Sequence, residues 1–291
     1  MRKTLLYIAT VLLGAVATSC SQSGRAASDG ESYAVSIEPQ RWILEQLVSP
    51  QAHITTMLRS GADPESYEPS IGLRAEADRA ALYFATGSLP FEDALRQSLT
   101  APVTDTSAGV DFIYGTHQHD HGHGAESHGD EGLPDPHYWT SVSGALTMAR
   151  NMVRALSEQN PDSAGVYGER LAALSARLDS LDRGIKARVA SAPVRAFAIW
   201  HPSLSYFARD YGLEQVPVGM ENKEMSARQL REVIDHARGD SIRVFFFQKE
   251  YDRRQAETIN EAIGSRIVTV DPLAYEWDDQ MMLIADELAR P

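Results

Sequence analysis

The chain has 291 residues, a net charge of −13 and one cysteine. Its acidic balance, with no basic cluster to neutralise phosphates, excludes a nucleic-acid partner. With Cys20 alone, an intramolecular disulfide is impossible and thiolate metal ligation is disfavoured.

In chain order, Arg2 and Lys3 precede an apolar run from Leu5 to Val16, short for a membrane span but suited to a signal peptide. Ala17, Thr18 and Ser19 then lead to Cys20, so residues 1–19 resemble a bacterial lipoprotein signal, in which the cysteine becomes the lipid-carrying N-terminus. Residues 20–31 are small and polar, as expected for a flexible tether. Tyr33 to Ile37 reads as a strand and Pro39 to Leu47 as the helix after it. His53 to Leu58 and Ala80 to Thr86 read as strands, Phe91 to Leu99 as a helix, and Val110 to Tyr114 as a weaker strand. Tyr138 to Leu156 reads as one helix, with Met148, Met152 and Val153 on one side as core filler.

Val166, Leu171, Leu174, Leu178, Leu181, Ile185 and Val189 then recur every three to five residues without a proline. They predict a single helix of about 25 residues, roughly 38 Å long, sufficient to brace two lobes. Beyond it, strands are predicted at Val194 to Trp200, Leu213 to Val218, Val244 to Phe247 and Ile267 to Val270. Helices are predicted at Leu204 to Tyr211, after a Ser226–Gln229 capping box, at Arg253 to Ile263 and at Asp279 to Ala289. The expected fold is two α/β lobes with parallel-type sheets, joined by one long rigid helix, with a cleft between them. The N-terminal lobe spans 32–163, the linking helix 164–191 and the C-terminal lobe 192–291, and a monomer is expected.

Residues 115–132 form a run of glycines, acids and histidines within the first lobe: His117, His119, His121, His123 and His128. Imidazole is the commonest metal ligand, and the tract has too few apolar residues to pack as core. It reads as a metal-collecting loop. In open α/β sheets ligands sit beyond the carboxyl ends of the strands. The donors placed there are Glu65 in the turn after strand 53–58, His137 after the histidine loop, His201 directly after strand 194–200, and Asp271 after strand 267–270. Two imidazoles and two carboxylates make a four-residue cage whose charge balances a divalent ion.

The phrases Gly61-Ala62-Asp63-Pro64-Glu65-Ser66-Tyr67-Glu68-Pro69, Asp135-Pro136-His137-Tyr138-Trp139, Trp200-His201 with Tyr206-Phe207-Ala208 and Tyr211-Gly212-Leu213, and Asp271-Pro272-Leu273, with the histidine loop, resemble the zinc/manganese solute-binding proteins of ABC transporters. The resemblance covers nearly the whole mature chain. It implies two α/β lobes that hold Zn²⁺ or Mn²⁺ between them and hand it to a membrane permease, with a His-rich loop beside the site in many zinc members. His137 matches the family's second ligand, His201 its third, where histidine resembles the zinc branch, and Asp271 its fourth. The first position departs, because the family usually has histidine where this chain has Glu65. A carboxylate oxygen still binds zinc but weakens the preference for it over Mn²⁺ or Fe²⁺. His53 begins its strand and is expected at the far pole.

The expected role is therefore a non-enzymatic, lipid-anchored metal-capture protein of the cell envelope, periplasmic or outward-facing, that delivers Zn²⁺ to an ABC importer permease. Two other classes stand beside it. A secreted zinc hydrolase would need three ligands, a water and a base, and the chain has no His-Glu-x-x-His helix. A surface metal buffer or adhesin would use the histidine loop but would have no need of a cleft.

Overall fold

In the computed structural model, residues 31–64, 66–115, 133–219, 227–251 and 253–291 are described. The first strand, β1 (Ser32–Ile37), is buried from its second residue onward, as a parallel strand covered on both faces must be. It pairs in parallel with β2 (His53–Leu58) and β3 (Leu82–Ala85), and β3 pairs with β4 (Val103–Asp105), giving the order β2-β1-β3-β4. Helices α1 (Glu38–Glu45), α2 (Ile71–Asp78) and α3 (Pro90–Ser98) alternate with these strands, and α4 (Val142–Gln159) follows.

The second lobe repeats the plan. Strands β5 (Ala196–Ile199), β6 (Glu214–Pro217), β7 (Val244–Gln248) and β8 (Arg266–Val270) are parallel in the order β6-β5-β7-β8. They alternate with α6 (Ser205–Tyr211), α7 (Ala227–Gly239), α8 (Arg253–Ile263) and α9 (Trp277–Ala289). In each sheet the strand order reverses beside the first strand, which creates a switch-point crevice at the carboxyl ends.

Between the lobes runs α5 (Ala164–Ala190), a helix of 27 residues and about 40 Å, packed on α4 of one lobe and α9 of the other. Leu174, Leu178, Ile185 and Val189 are its buried stripe, and Val166 stays exposed. One apolar core continues across both lobes and includes Ile43, Trp139, Leu178, Phe246 and Trp277. Along β7 the faces divide: Val244 and Phe246 join that core, while Phe245 and Phe247 join a smaller cluster with Ala237, Ala256 and Ile259. The indoles tie the lobes directly. Trp139 Nε1 donates to the Pro272 carbonyl at 3.1 Å, and Trp277 Nε1 donates to the Trp139 carbonyl at 2.7 Å.

Three local expectations are corrected. Val110 to Tyr114 is not a strand; only Tyr114 bridges, to Pro134, and the sheet's edge is the shorter β4, whose three half-buried residues carry too little alternation to be read. Helix α2 went unpredicted because it is barely amphipathic: Ala77 is its one buried residue and Ile71 is 88% exposed. Its start is set by Ser70, whose Oγ accepts from Leu73 N. The single helix expected from Tyr138 is interrupted at Ser141, which is extended and caps α4 by accepting from Gly144 N at 3.0 Å. A short 3-10 turn, Tyr138–Thr140, precedes it. Ser226 of the expected capping box lies outside the described residues.

Candidate metal centre

His137 and His201, 64 residues apart in sequence, meet between the lobes. Both are almost fully buried, and their Nε2 atoms lie 3.4 Å apart. The rings cross at 70° with centroids 5.1 Å apart. Each is held by its own lobe. Asp135, completely buried, accepts from the His137 backbone N at 2.9 Å and from its Nδ1 at 2.9 Å. That bond fixes the proton on Nδ1 and leaves the Nε2 lone pair facing the cleft. His201 lies in the turn just after β5, which the buried Gln248 at the end of β7 clamps: His201 N donates to Oε1 at 3.2 Å, and Nε2 of Gln248 donates to the His201 carbonyl at 2.6 Å.

Further bonds couple the two turns across the lobes. The Tyr206 hydroxyl donates to the Asp135 carbonyl at 2.7 Å, and the Thr140 hydroxyl lies 2.8 Å from the His137 carbonyl and 3.0 Å from that of Ser203. The spacing of the imidazole nitrogens can be compared with that of a shared ion. Two nitrogens each at a zinc–imidazole distance from one tetrahedral ion lie about 3.3–3.4 Å apart. The observed 3.4 Å matches that spacing and is also a hydrogen-bond distance between the two rings.

Asp271 follows β8 at a strand end of the second lobe, and its oxygens are engaged by other partners. Oδ2 accepts from Lys249 Nζ at 2.6 Å and from Ser60 Oγ at 2.6 Å, and Oδ1 accepts from Leu273 N at 3.0 Å. Among the described residues Asp271 does not close on the imidazole pair; the one triad of histidine and carboxylate donors with atoms within 4.8 Å of one another is Glu214, His236 and Asp240. That triad pairs His236 with Asp240 at 3.3 Å and with Glu214 at 3.8 Å on the exposed surface of the second lobe. Glu65, Cys20 and the five loop histidines lie outside the described residues. His53 opens β2 and is exposed.

Sequence reasoning passed over the segment after β7. Glu250 is half-buried there, and its carboxyl is pushed up to about 7, chiefly by burial, with Asp271 and Asp63 adding and His201 opposing. Gln248 and Lys249 precede it. The carboxyl-end rule that singled out His201 and Asp271 applies equally to these residues. A cavity of about 640 Å³ opens beside them, walled by Arg59, Ser60, Lys249, Asp271 and Gln280.

Two parallel α/β lobes, braced by one helix and presenting paired imidazoles where their strand ends face each other, define a two-lobed binding protein with a metal-type donor set. The chain belongs to the family of periplasmic zinc-uptake complex component A, ZnuA, whose sequence model matches residues 34–285. It is 26% identical over 285 residues to the high-affinity zinc uptake system protein ZnuA of Bacillus subtilis, covering 94% of this chain and 89% of that protein. It is 25% identical over 283 residues to the zinc-binding lipoprotein AdcA of Streptococcus pneumoniae, covering 94% of this chain; it spans about half of that longer protein, 56%. A crystal structure of a zinc-bound ZnuA deletion mutant superposes with a TM-score of 0.79 at 28% identity, covering 90% of this chain and 97% of that one. The Mn²⁺ complex of FpvC from Pseudomonas aeruginosa shares the fold, with a TM-score of 0.76 at 22% identity over 89% of this chain and 97% of that one.

Proposed function

We propose that this chain captures Zn²⁺ outside the cytoplasmic membrane and delivers it to the permease of an ABC importer, anchored by a lipid on Cys20. The observation that carries the reading is the 3.4 Å separation of the His137 and His201 Nε2 atoms, with the Nδ1 of His137 engaged by a buried carboxylate. A hydrogen-bonded carboxylate behind a ligating imidazole is the usual outer support of a metal site. Family membership adds the transport role, and the relatives whose names include zinc uptake and lipoprotein add the cargo and the anchor.

Glu65 and Asp271 complete the proposed ligand set, and His117, His119, His121, His123 and His128 serve as an auxiliary metal-collecting tract. Nothing in this donor set calls for catalysis, and the role is binding. No described helix is long and apolar enough to cross a membrane. Two carboxylates keep Mn²⁺ and Fe²⁺ as the competing cargo, since hard oxygens favour those ions more than imidazole does.

Metal content and chelator competition on the purified mature protein test this. Zn²⁺ binding is expected at one tight site, weakened in His137→Ala and His201→Ala well beyond the about 10–100-fold that loss of an outer hydrogen bond costs. Deleting residues 117–128 is expected to slow loading while leaving that site. Two alanine variants that bind Zn²⁺ like the parent would overturn the reading. Cys20→Ser is expected to leave the membrane fraction, and stimulation of ATP hydrolysis by the reconstituted importer tests delivery.

A further inference from the structure

We propose that Lys249 competes with the cleft metal for Asp271, and thereby sets how tightly the site holds its cargo and which cargo it prefers. The inference rests on the reading of Asp271 as a ligand. Both carboxylate oxygens of Asp271 are already engaged: Oδ2 by the Lys249 ammonium and the Ser60 hydroxyl, each at 2.6 Å, and Oδ1 by Leu273 N at 3.0 Å. Lys249 Nζ also donates to Ser60 Oγ, which closes a three-membered cluster.

The cluster draws on both lobes. Ser60 follows β2, Lys249 follows β7 and Asp271 follows β8, so all three stand at strand ends that face the cleft. The lysine stem is seated across Gly61. A side chain there would stand 3.2 Å from Lys249 Cε, and Gly61 has φ +87, a conformation that favours glycine. The turn that carries Ser60 therefore leaves room for the lysine.

The charges make this arrangement consequential. To ligate a divalent ion, Asp271 must either give up the ammonium or share itself between two cations that repel each other. The two partners differ in freedom: the Lys249 side chain is 42% exposed, that of Asp271 only 13%. The lysine can swing into solvent on its flexible stem at small cost, whereas Asp271 stays in the cleft. When metal leaves, the returning ammonium spares Asp271 the penalty of a part-buried carboxylate without a partner. Exchange of metal for ammonium lowers the barrier to release. It also withholds a hard oxygen from the site, so the imidazole pair dominates, and Zn²⁺ is favoured over Mn²⁺.

The test is chelator competition with Zn²⁺ and with Mn²⁺ on the parent, Lys249→Met, Lys249→Arg, Asp271→Asn and the Lys249→Met/Asp271→Asn double variant, each with folding checked by circular dichroism. Lys249→Met is expected to tighten Zn²⁺ binding about tenfold and Mn²⁺ binding by more, with slower loss of metal to excess EDTA. Lys249→Arg keeps the charge and is expected to restore parental affinity. In the Asp271→Asn background, Lys249→Met is expected to change nothing. If Asp271→Asn weakens binding but a folded Lys249→Met binds Zn²⁺ and Mn²⁺ like the parent or more weakly, the competition is refuted while the ligand assignment stands. If Asp271→Asn itself leaves both affinities unchanged, the ligand assignment fails, and the competition with it.

Discussion

Asp135 offers the sharpest test of how the first lobe prepares its ligand. Its Oδ1 accepts two hydrogen bonds from His137, one from the backbone N and one from Nδ1, both at 2.9 Å, and the residue is fully buried. Asp135→Asn keeps the shape, and one amide oxygen can still accept, but the negative charge behind the imidazole is gone. Hydrogen bonds to a charged partner contribute about 1.5–3 kcal/mol, against about 0.5–1.5 for a neutral pair. The difference, on the order of 1–2 kcal/mol, corresponds to about a tenfold loss in Zn²⁺ affinity, within the range seen when outer supports of metal ligands are removed. Asp135→Ala removes the acceptor altogether, frees the ring to rotate or change tautomer, and is expected to cost nearer the hundredfold end of that range. The assay is competition with a chromophoric chelator, run beside urea denaturation of the metal-free protein to separate affinity from stability. An Asp135→Ala variant that unfolds at lower urea yet binds Zn²⁺ with parental affinity would refute the idea that this carboxylate prepares His137.

Other expectations follow from buried groups around the cleft. Glu92 accepts from Thr86 N at 2.6 Å, Thr86 Oγ1 at 2.9 Å and Gly87 N at 2.8 Å, so Glu92→Gln would turn an amide NH₂ toward donors whichever way it flips; a loss of about 2–4 kcal/mol is expected in urea titrations. Gly144→Ala would place Cβ 1.9 Å from the Tyr138 carbonyl oxygen, in the turn just after His137, and is expected to cost at least the roughly 1–3 kcal/mol of an overpacked core and to weaken Zn²⁺ binding as that turn shifts. Glu250 has its carboxyl raised from 4.5 to about 7, so the folded chain holds a proton that the unfolded chain has lost. Its contribution is therefore present below about pH 4.5 and is lost as pH rises to about 7, by up to about 3 kcal/mol in the metal-free protein. Glu250→Gln is expected to flatten that slope, and an unchanged profile of urea midpoint against pH would count against the buried, acid-flanked setting of this carboxyl.

The alternation of strands and helices was legible because the strands are short apolar runs and the helices carry one-sided stripes; α5 was predicted nearly to its ends from its leucine spacing. The elements that were missed lack that signature. Ile71 of α2 is exposed, Ala77 is the helix's one buried residue, and β4 is too short for alternation to accumulate. Within the site, His137 and His201 stood out by residue type and by position at strand ends, but their 3.4 Å approach is a tertiary fact. Lys249 and Glu250 obey the same positional rule and were passed over because, in one dimension, a lysine beside a glutamate reads as solvated surface. Only the fold puts that lysine against Asp271 and brings Glu250 under the influence of Asp271 and His201.

The continuity of the core bears on how cargo could leave. Trp139 and Trp277 are almost fully buried in a cluster shared by both lobes, and each indole N–H is spent on a carbonyl across or beside the interface. Swinging the lobes apart would expose both rings. At about 25 cal/mol per Å² and 150–250 Å² per aromatic side chain, that alone costs on the order of 10 kcal/mol, before the two indole bonds are counted. A motion so expensive is a poor route to release, because it would be comparable to unfolding a small domain. Movement of a few side chains at the strand ends costs far less. Lys249, half in solvent and already bonded to Asp271, can move without disturbing the indoles. A disulfide engineered across the lobe interface away from the cleft is therefore expected to leave the rate of Zn²⁺ loss to EDTA unchanged, and a large slowing would show that lobe opening governs release after all.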